Sequence, residues 1–365
     1  MAKISEITGH APAVRPSFLY EEDNKLPMPG LHIGLELELE EIPVAAVEGE
    51  LKYWKIVKDG SLRDASELFV GKEFIFNQPL YGKDISAALD ELDNLWDTHG
   101  KPKATLNCST HVHIDVRDLD TDDIIKICMI HLILEDVLFR YEGTGRDYSN
   151  FCVPWRDMPI SNKSKIKDLD NPGKFLRTAE SWSKYSSLNI SAIRQQGSIE
   201  FRHMHGLVKK EEILRWIKIL MSVIRYSLNL VDYKELPRAV SVSGVIPFIK
   251  DVFGEELSEF LLYDKIEEDV YNSIRLFQTY HFCTEENESG DLLVNDEEEV
   301  SQRYRKFYKP VFRMDRFGVG VEIQELRHVK DEFQDEKEEL NPNLMPQEEW
   351  PEEIVAIPRP LDLDF

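Results

Sequence analysis

The chain has 365 residues, 42% hydrophobic and 31% charged, the composition of a globular protein able to bury a sizeable core. Its net charge of −24 argues against a broad interaction with a nucleic-acid backbone. No apolar run reaches the length of a membrane span, so the expected partners include neither nucleic acid nor membrane.

Residues 1–30 carry prolines at 12, 16, 27 and 29 and read as an irregular lead-in, without the continuous apolar core of a signal peptide. Four cysteines, at 108, 128, 152 and 283, form no C-x-x-C pair, so reduced thiols and a cytoplasmic location are expected. "GLELELEEI" (34–42) alternates apolar and acidic residues, which predicts a strand with Leu35, Leu37 and Leu39 on one face. Glu36, Glu38 and Glu40 then share the other face, neighbours only about 6–7 Å apart. A solvated antiparallel strand reads this way, and so does a row of carboxylates that holds cations.

"YWKIVKDGSLR" suggests a hairpin about Asp59-Gly60, and "EFIFNQPL" (73–80) a strand ending at Pro79. Residues 84–99 have helical spacing at Ile85, Leu89, Leu92 and Trp96, with Asp84 as the expected N-cap. "THVHIDV" (110–116) reads as a strand, and 121–141, apolar almost all round, as a buried helix. Residues 142–180 are rich in Gly, Pro, Ser and Asn and read as long loops, followed by strands at "SSLNISAI" and "GSIEFRHMH". An amphipathic helix starts near Lys209, two more helices fall within 245–280, and "EENESGDLLVNDEEEV" reads as an acidic surface loop. From Val321 onward 14 Asp and Glu stand against 4 Lys and Arg, with several prolines: an acidic tail that could dock a protein partner. Non-adjacent strands with helices grouped between them imply an α+β fold with a largely antiparallel sheet. There is no Gly-rich phosphate loop.

Three strands carry polar residues two apart: Glu36 and Glu38, His111 and His113, Glu200 and Arg202. A fourth begins with Glu73. Each pair places two polar groups on one sheet face, as a site on a rigid scaffold requires. Glutamates with an imidazole suit Mg²⁺ or Mn²⁺, and a nearby arginine can clamp a phosphoryl group through paired hydrogen bonds. Duller readings exist for each: a surface histidine pair, or an exposed Glu200–Arg202 ion pair worth under about 1 kcal/mol. His131 and Glu135 have i, i+4 spacing without the rest of a zinc-protease motif, which suggests a structural hydrogen bond between them.

The ordered blocks "GLELE", "DGSL", "EFIFNQPL", "HVH", "KYSSLNI" and "GSIEFR" resemble the amidoligase family, carboxylate–amine ligases with the fold of glutamine synthetase and glutamate–cysteine ligase. The resemblance spans roughly residues 31–230. It implies a curved, largely antiparallel sheet of the glutamine synthetase-like type with helices on one face, holding ATP and two or three Mg²⁺ or Mn²⁺ ions. It assigns Glu36, Glu38, Glu73, His111 and Glu200 to metal binding and His113 to the nucleotide phosphates; Glu40 gains no partner from it and is expected at the strand's solvated end. Arg202 would steady the γ-phosphoryl group, acting with Glu200 in catalysis. Arg146, Asn150, Tyr185 and Asn189 would lie on the substrate side. The implied organisation is a lead-in over 1–30, the amidoligase domain over 31–320 (motifs within 31–230, a helical extension over 231–320) and the tail over 321–365.

This sequence departs from the family's E-F-R-x-H-x-G-T at Met204 and Leu207, leaving His203 and His205 without assigned roles, and has Ser109 where glycine is usual. The implied activity is ATP- and Mg²⁺-dependent formation of an amide or isopeptide bond through an acyl phosphate. Its substrates would be a small-molecule or peptide carboxylate and an amine. The alternatives are an inactive binding or scaffold protein of the same fold, and a metal-dependent hydrolase using the HVH pair.

Overall fold

The computed structural model describes residues 2–13, 31–143, 145–158, 169 and 172–282, together with the backbone of four short strands outside those ranges. Two compact units divide the chain, residues 1–293 and 294–365. In the first, helix α1 (Ile4–Thr8) and a two-strand ribbon, β1 (Leu19–Tyr20) with β2 (Pro27–Met28), precede the main sheet. The second contains an antiparallel pair, β9 (Tyr308–Met314) with β10 (Gly320–Leu326). The anticipated acidic loop at 285–300 and nearly all of the acidic tail (327–365) lie outside the described residues.

Six strands form the main sheet: β3 (Ile33–Pro43), β4 (Trp54–Val57), β5 (Phe69–Phe76), β6 (Ser109–Asp115), β7 (Leu188–Asn189) and β8 (Ser198–His205). Their order is β4-β5-β3-β6-β8-β7, every pairing is antiparallel, and the sheet is open. Alternation along the strands sorts the two faces as the sequence pattern predicts. Leu35, Leu37, Leu39, Phe74, Val112, Ile114, Ile199 and Phe201 are fully buried.

Helices cover that apolar face. In α2 (Lys83–His99) the stripe Ile85, Ala88, Leu89, Leu92 and Trp96 is buried. The Trp96 ring meets Phe74 edge-on at 5.4 Å, and Trp54 donates its indole N–H to the Ala88 carbonyl at 2.8 Å. Helix α3 (Thr121–Glu142) is buried nearly all round, as its sequence requires. Asp120 caps it by accepting the Asp123 N–H, and Gly143 ends it in the left-handed region at φ 74°. Beyond α4 (Pro172–Glu180) and α5 (Ala192–Gln196), α6 (Lys210–Asn229) packs on α3 and α2. The last helices, α7 (Leu236–Ser243), α8 (Val245–Glu259) and α9 (Ile266–Phe282), extend this layer, α9 against α3 and α8 against α6.

Several local expectations are corrected. Asp59-Gly60 does not join two strands: the Asp59 carboxylate takes the Ser61 N–H at 2.6 Å, a local turn, and β4 pairs with β5 across a longer loop. Asp84 is not the N-cap of α2, which starts after Gly82; Asp84 sits in the first turn, where its charge still suits the helix dipole. The 142–180 stretch is not all loop, because α4 buries Phe175 and Ala179. "SSLNISAI" forms only the two-residue β7 before α5. The Asn189 side-chain oxygen accepts the Ser191 N–H at 2.9 Å and turns the chain out of the sheet.

Candidate active site

On the sheet's polar face, strand register brings the candidate residues together. Glu38 lies opposite Glu73, Glu36 opposite His111, His113 opposite Glu200, and Glu200 opposite Asn189. Five strands therefore contribute to one cluster. Such directly opposed pairs have Cβ atoms about 4.5–5.5 Å apart, close enough for their side chains to meet.

Glu36 occupies the centre. One of its oxygens lies 3.2 Å from His111 Nδ1 and the other 3.2 Å from His113 Nε2. Glu200 Oε1 lies 3.5 Å from His111 Nδ1 and 3.9 Å from His113 Nε2, and it pairs with the Arg202 guanidinium. The other Glu200 oxygen accepts the Asn189 amide at 2.7 Å. Arg202 also donates from Nε to the Phe151 carbonyl at 3.2 Å, which fixes the direction of its planar fork. Gly34 makes the approach of β6 possible, because a Cβ there would lie 3.1 Å from His113 Cβ.

Electrostatics divides the carboxylates. Burial pushes Glu36 and Glu200 upward, but the two imidazoles outweigh it at Glu36, as they do together with Arg202 at Glu200, so both stay below the usual carboxylate range. Burial alone would lower His113; Glu36 and Glu200 raise it instead. Among the described residues no cation forms an ion pair with Glu73. Burial and then the charges of Glu36 and Glu38 push it up to about 8. The cluster thus contains more carboxylates than the protein's own cations neutralise.

Sequence reading missed Ser109, which it noted only as a departure from the family. Its hydroxyl donates to Glu38 and lies 2.7 Å from His111 Nε2, linking two strands of the cluster. It stands two residues before His111, so extending the period-two pattern by one step would have found it. Glu40 is a correction. It does not sit at a solvated strand end but is 6% exposed. It accepts the Arg63 N–H at 2.7 Å and the Thr105 hydroxyl at 2.7 Å, anchoring two loops. A β-bulge after Leu39, with Glu41 at φ 53°, re-aims the strand there.

The residues placed on the substrate side are dispersed. Arg146 is buried, and its guanidinium donates to the carbonyls of Arg202 at 3.0 Å and Cys108 at 3.4 Å. Asn150 is exposed just before Phe151. Tyr185, 38% exposed, meets the Phe151 ring edge-on at 5.6 Å, next to the carbonyl that holds Arg202. His205 faces Glu142 at 3.1 Å, whereas His203 projects to the opposite side, among the helices. His131 and Glu135 are not hydrogen-bonded to each other: Nε2 and Oε1 stand 3.9 Å apart, and the Glu135 carboxylate instead takes the Trp155 N–H at 2.7 Å and the Ser187 hydroxyl.

Residues 33–224, just over half of the chain and the stretch that builds this cluster, match the family described as "Putative amidoligase enzyme". The chain belongs to this amidoligase family. No curated protein matches it. Every strand of the main sheet and helices α2 and α3 fall within the matched span of this amidoligase-family protein. Helices α7–α9 lie outside it, and among the described residues no helix is long and apolar enough to cross a membrane.

Proposed function

We propose that this amidoligase-family protein joins a carboxylate to an amine at the expense of ATP, on a sheet of the glutamine synthetase-like type. One observation carries the reading: Glu36, Glu73, His111, His113, Glu200 and Arg202 converge on the polar face, with Glu36 facing both imidazoles at 3.2 Å. The excess of carboxylates, with Glu73 pushed up to about 8, is a donor set that fits hard divalent cations. Glu36, Glu38, Glu73, His111 and Glu200 would hold two or three Mg²⁺ or Mn²⁺ ions. Such ions supply charge compensation to phosphate oxygens.

In this reading ATP phosphorylates the substrate carboxylate, ADP leaves, and the amine displaces phosphate from the acyl phosphate to give the amide. His113 contacts the nucleotide phosphates. Arg202, its fork set by Glu200 and the Phe151 carbonyl, binds the transferring γ-phosphoryl oxygens and stabilises their charge in flight. Glu200, steadied by Asn189, keeps Arg202 oriented and shares in metal binding. Tyr185 and Asn150, at the exposed edge beside Phe151, face the incoming substrates, with Arg146 beneath them bracing β8. The buried free thiols Cys108, Cys128 and Cys152 suit a cytoplasmic setting.

The test is ADP release screened across carboxylates paired with amines. Turnover should need both substrates and Mg²⁺, and it should fall by about 10²-fold or more in Glu36→Gln and Arg202→Ala. Undiminished turnover in those variants would overturn the assignment. Calorimetry with ATP and Mg²⁺ separates it from an inactive scaffold, which would bind neither.

A further inference from the structure

Behind the sheet, away from the proposed ATP site, three side chains with metal-binding chemistry meet. His131 and Glu135 project from one face of α3, and His203 comes from β8 at the bulge where Val112 pairs with Phe201 and Thr110 with Met204. His131 and His203 are fully buried and Glu135 is 2% exposed. One ligand atom from each lies within 4.8 Å of the other two. The two Nε2 atoms face each other at 3.1 Å, and His131 Nε2 stands 3.9 Å from Glu135 Oε1.

We propose that His131, Glu135 and His203 form a structural zinc site that locks α3 to β8. Two nitrogens bound to one tetrahedral zinc, each about 2.0–2.1 Å from it, stand roughly 3.3 Å apart, close to the spacing here. The Glu135 oxygen, 3.9 Å from His131 Nε2 and within 4.8 Å of the His203 ligand atom, would close on the ion by side-chain movement.

The carboxylate is held as ligating carboxylates are, by further hydrogen bonds: the Trp155 N–H and Ser187 hydroxyl bind Oε1, and the Arg156 N–H lies 3.4 Å from Oε2. Binding through both carboxylate oxygens would make the site four-coordinate. Without an ion, two neutral facing rings can make only one N–H···N bond between them. The pair is a polar inclusion in a core that Phe139, Trp155, Phe201 and Trp216 otherwise make apolar. A soft-to-borderline ion with mixed nitrogen and oxygen ligands fits this dry pocket; Mg²⁺, which keeps waters, does not. The site is independent of the ligase reading, since none of its residues touches the polar face.

The test uses the full-length protein, dialysed against a weak chelator and analysed for metal by mass spectrometry. Wild type and the Glu36→Gln/Glu200→Gln double variant should each retain about one zinc per chain, and His203→Gln should retain at least about 10-fold less. Replacing zinc by Co²⁺ in the double variant should give the visible absorption of a four-coordinate, imidazole-ligated ion, a readout that needs no folded His203 variant. Wild type without retained zinc would overturn the proposal, as would zinc that survives His203→Gln but disappears with Glu36 and Glu200, or a double variant without the cobalt band.

Discussion

Glu73 is displaced far from its ordinary titration range. Its carboxyl ordinarily titrates near 4.5 and is pushed up to about 8 here by burial and by Glu36 and Glu38. Between those values the folded protein binds a proton that the unfolded chain has released, so stability falls as pH rises through that window. Urea unfolding of wild type and Glu73→Gln should therefore converge near pH 5 and diverge toward pH 8, wild type losing ground; parallel curves would contradict the assignment. Divalent cations compete with the same proton, and their apparent affinity should rise over the same range. Glu40 is a different kind of residue. Its carboxylate is consumed by the Arg63 N–H and the Thr105 hydroxyl, so Glu40→Ala should cost about 1–3 kcal/mol in chemical denaturation by removing both part-buried hydrogen bonds. Alternation could not separate Glu40 from Glu36 and Glu38, because it reports which face a residue shares and says nothing of which loops fold over it; only the family resemblance left Glu40 out.

At the scale of elements, β3, β6 and β8 do most of the positioning, and their packing leaves little slack. A Cβ at Gly206, just past β8, would lie 2.5 Å from Cys108 Cβ and 3.1 Å from the Glu38 carbonyl oxygen. Gly206→Ala should cost about 1–3 kcal/mol and lower cation affinity through displacement of Glu38; a thermal melt with a Mn²⁺ titration reads both. Helix α3 depends on its cap. Asp120→Ala removes the bond from the Asp123 N–H and should cost about 1 kcal/mol, seen as a lower urea midpoint with an unchanged slope. The strands and long helices were legible because their periodicities of 2 and 3.6 run over many residues. The Asp59 turn and the curtailed β7 were not, since single side chains, Asp59 and Asn189, redirect the backbone there by local hydrogen bonds.

For the whole molecule, ligand binding is the sharpest global readout. ATP with Mg²⁺ at about 100 times its Kd should stabilise the folded chain by roughly 2.7 kcal/mol, a shift in melting temperature absent from Glu36→Gln/Glu200→Gln. Sequence by itself determined the antiparallel α+β class, the sorting of the sheet into apolar and polar faces, and the residue types of the cluster, because burial and strand pleat act on the local pattern. It left Ser109 out of the cluster and read His131 as the hydrogen-bond partner of Glu135. Only the tertiary structure decided which residues meet. The register of β3 between β5 and β6 sets Glu36 against His111 and Glu38 against Glu73, and the bulge between β6 and β8 shifts the pairing so that Met204 meets Thr110 and His205 meets Ser109. Register depends on the pairing of strands far apart in the chain, a long-range contact that no local pattern encodes.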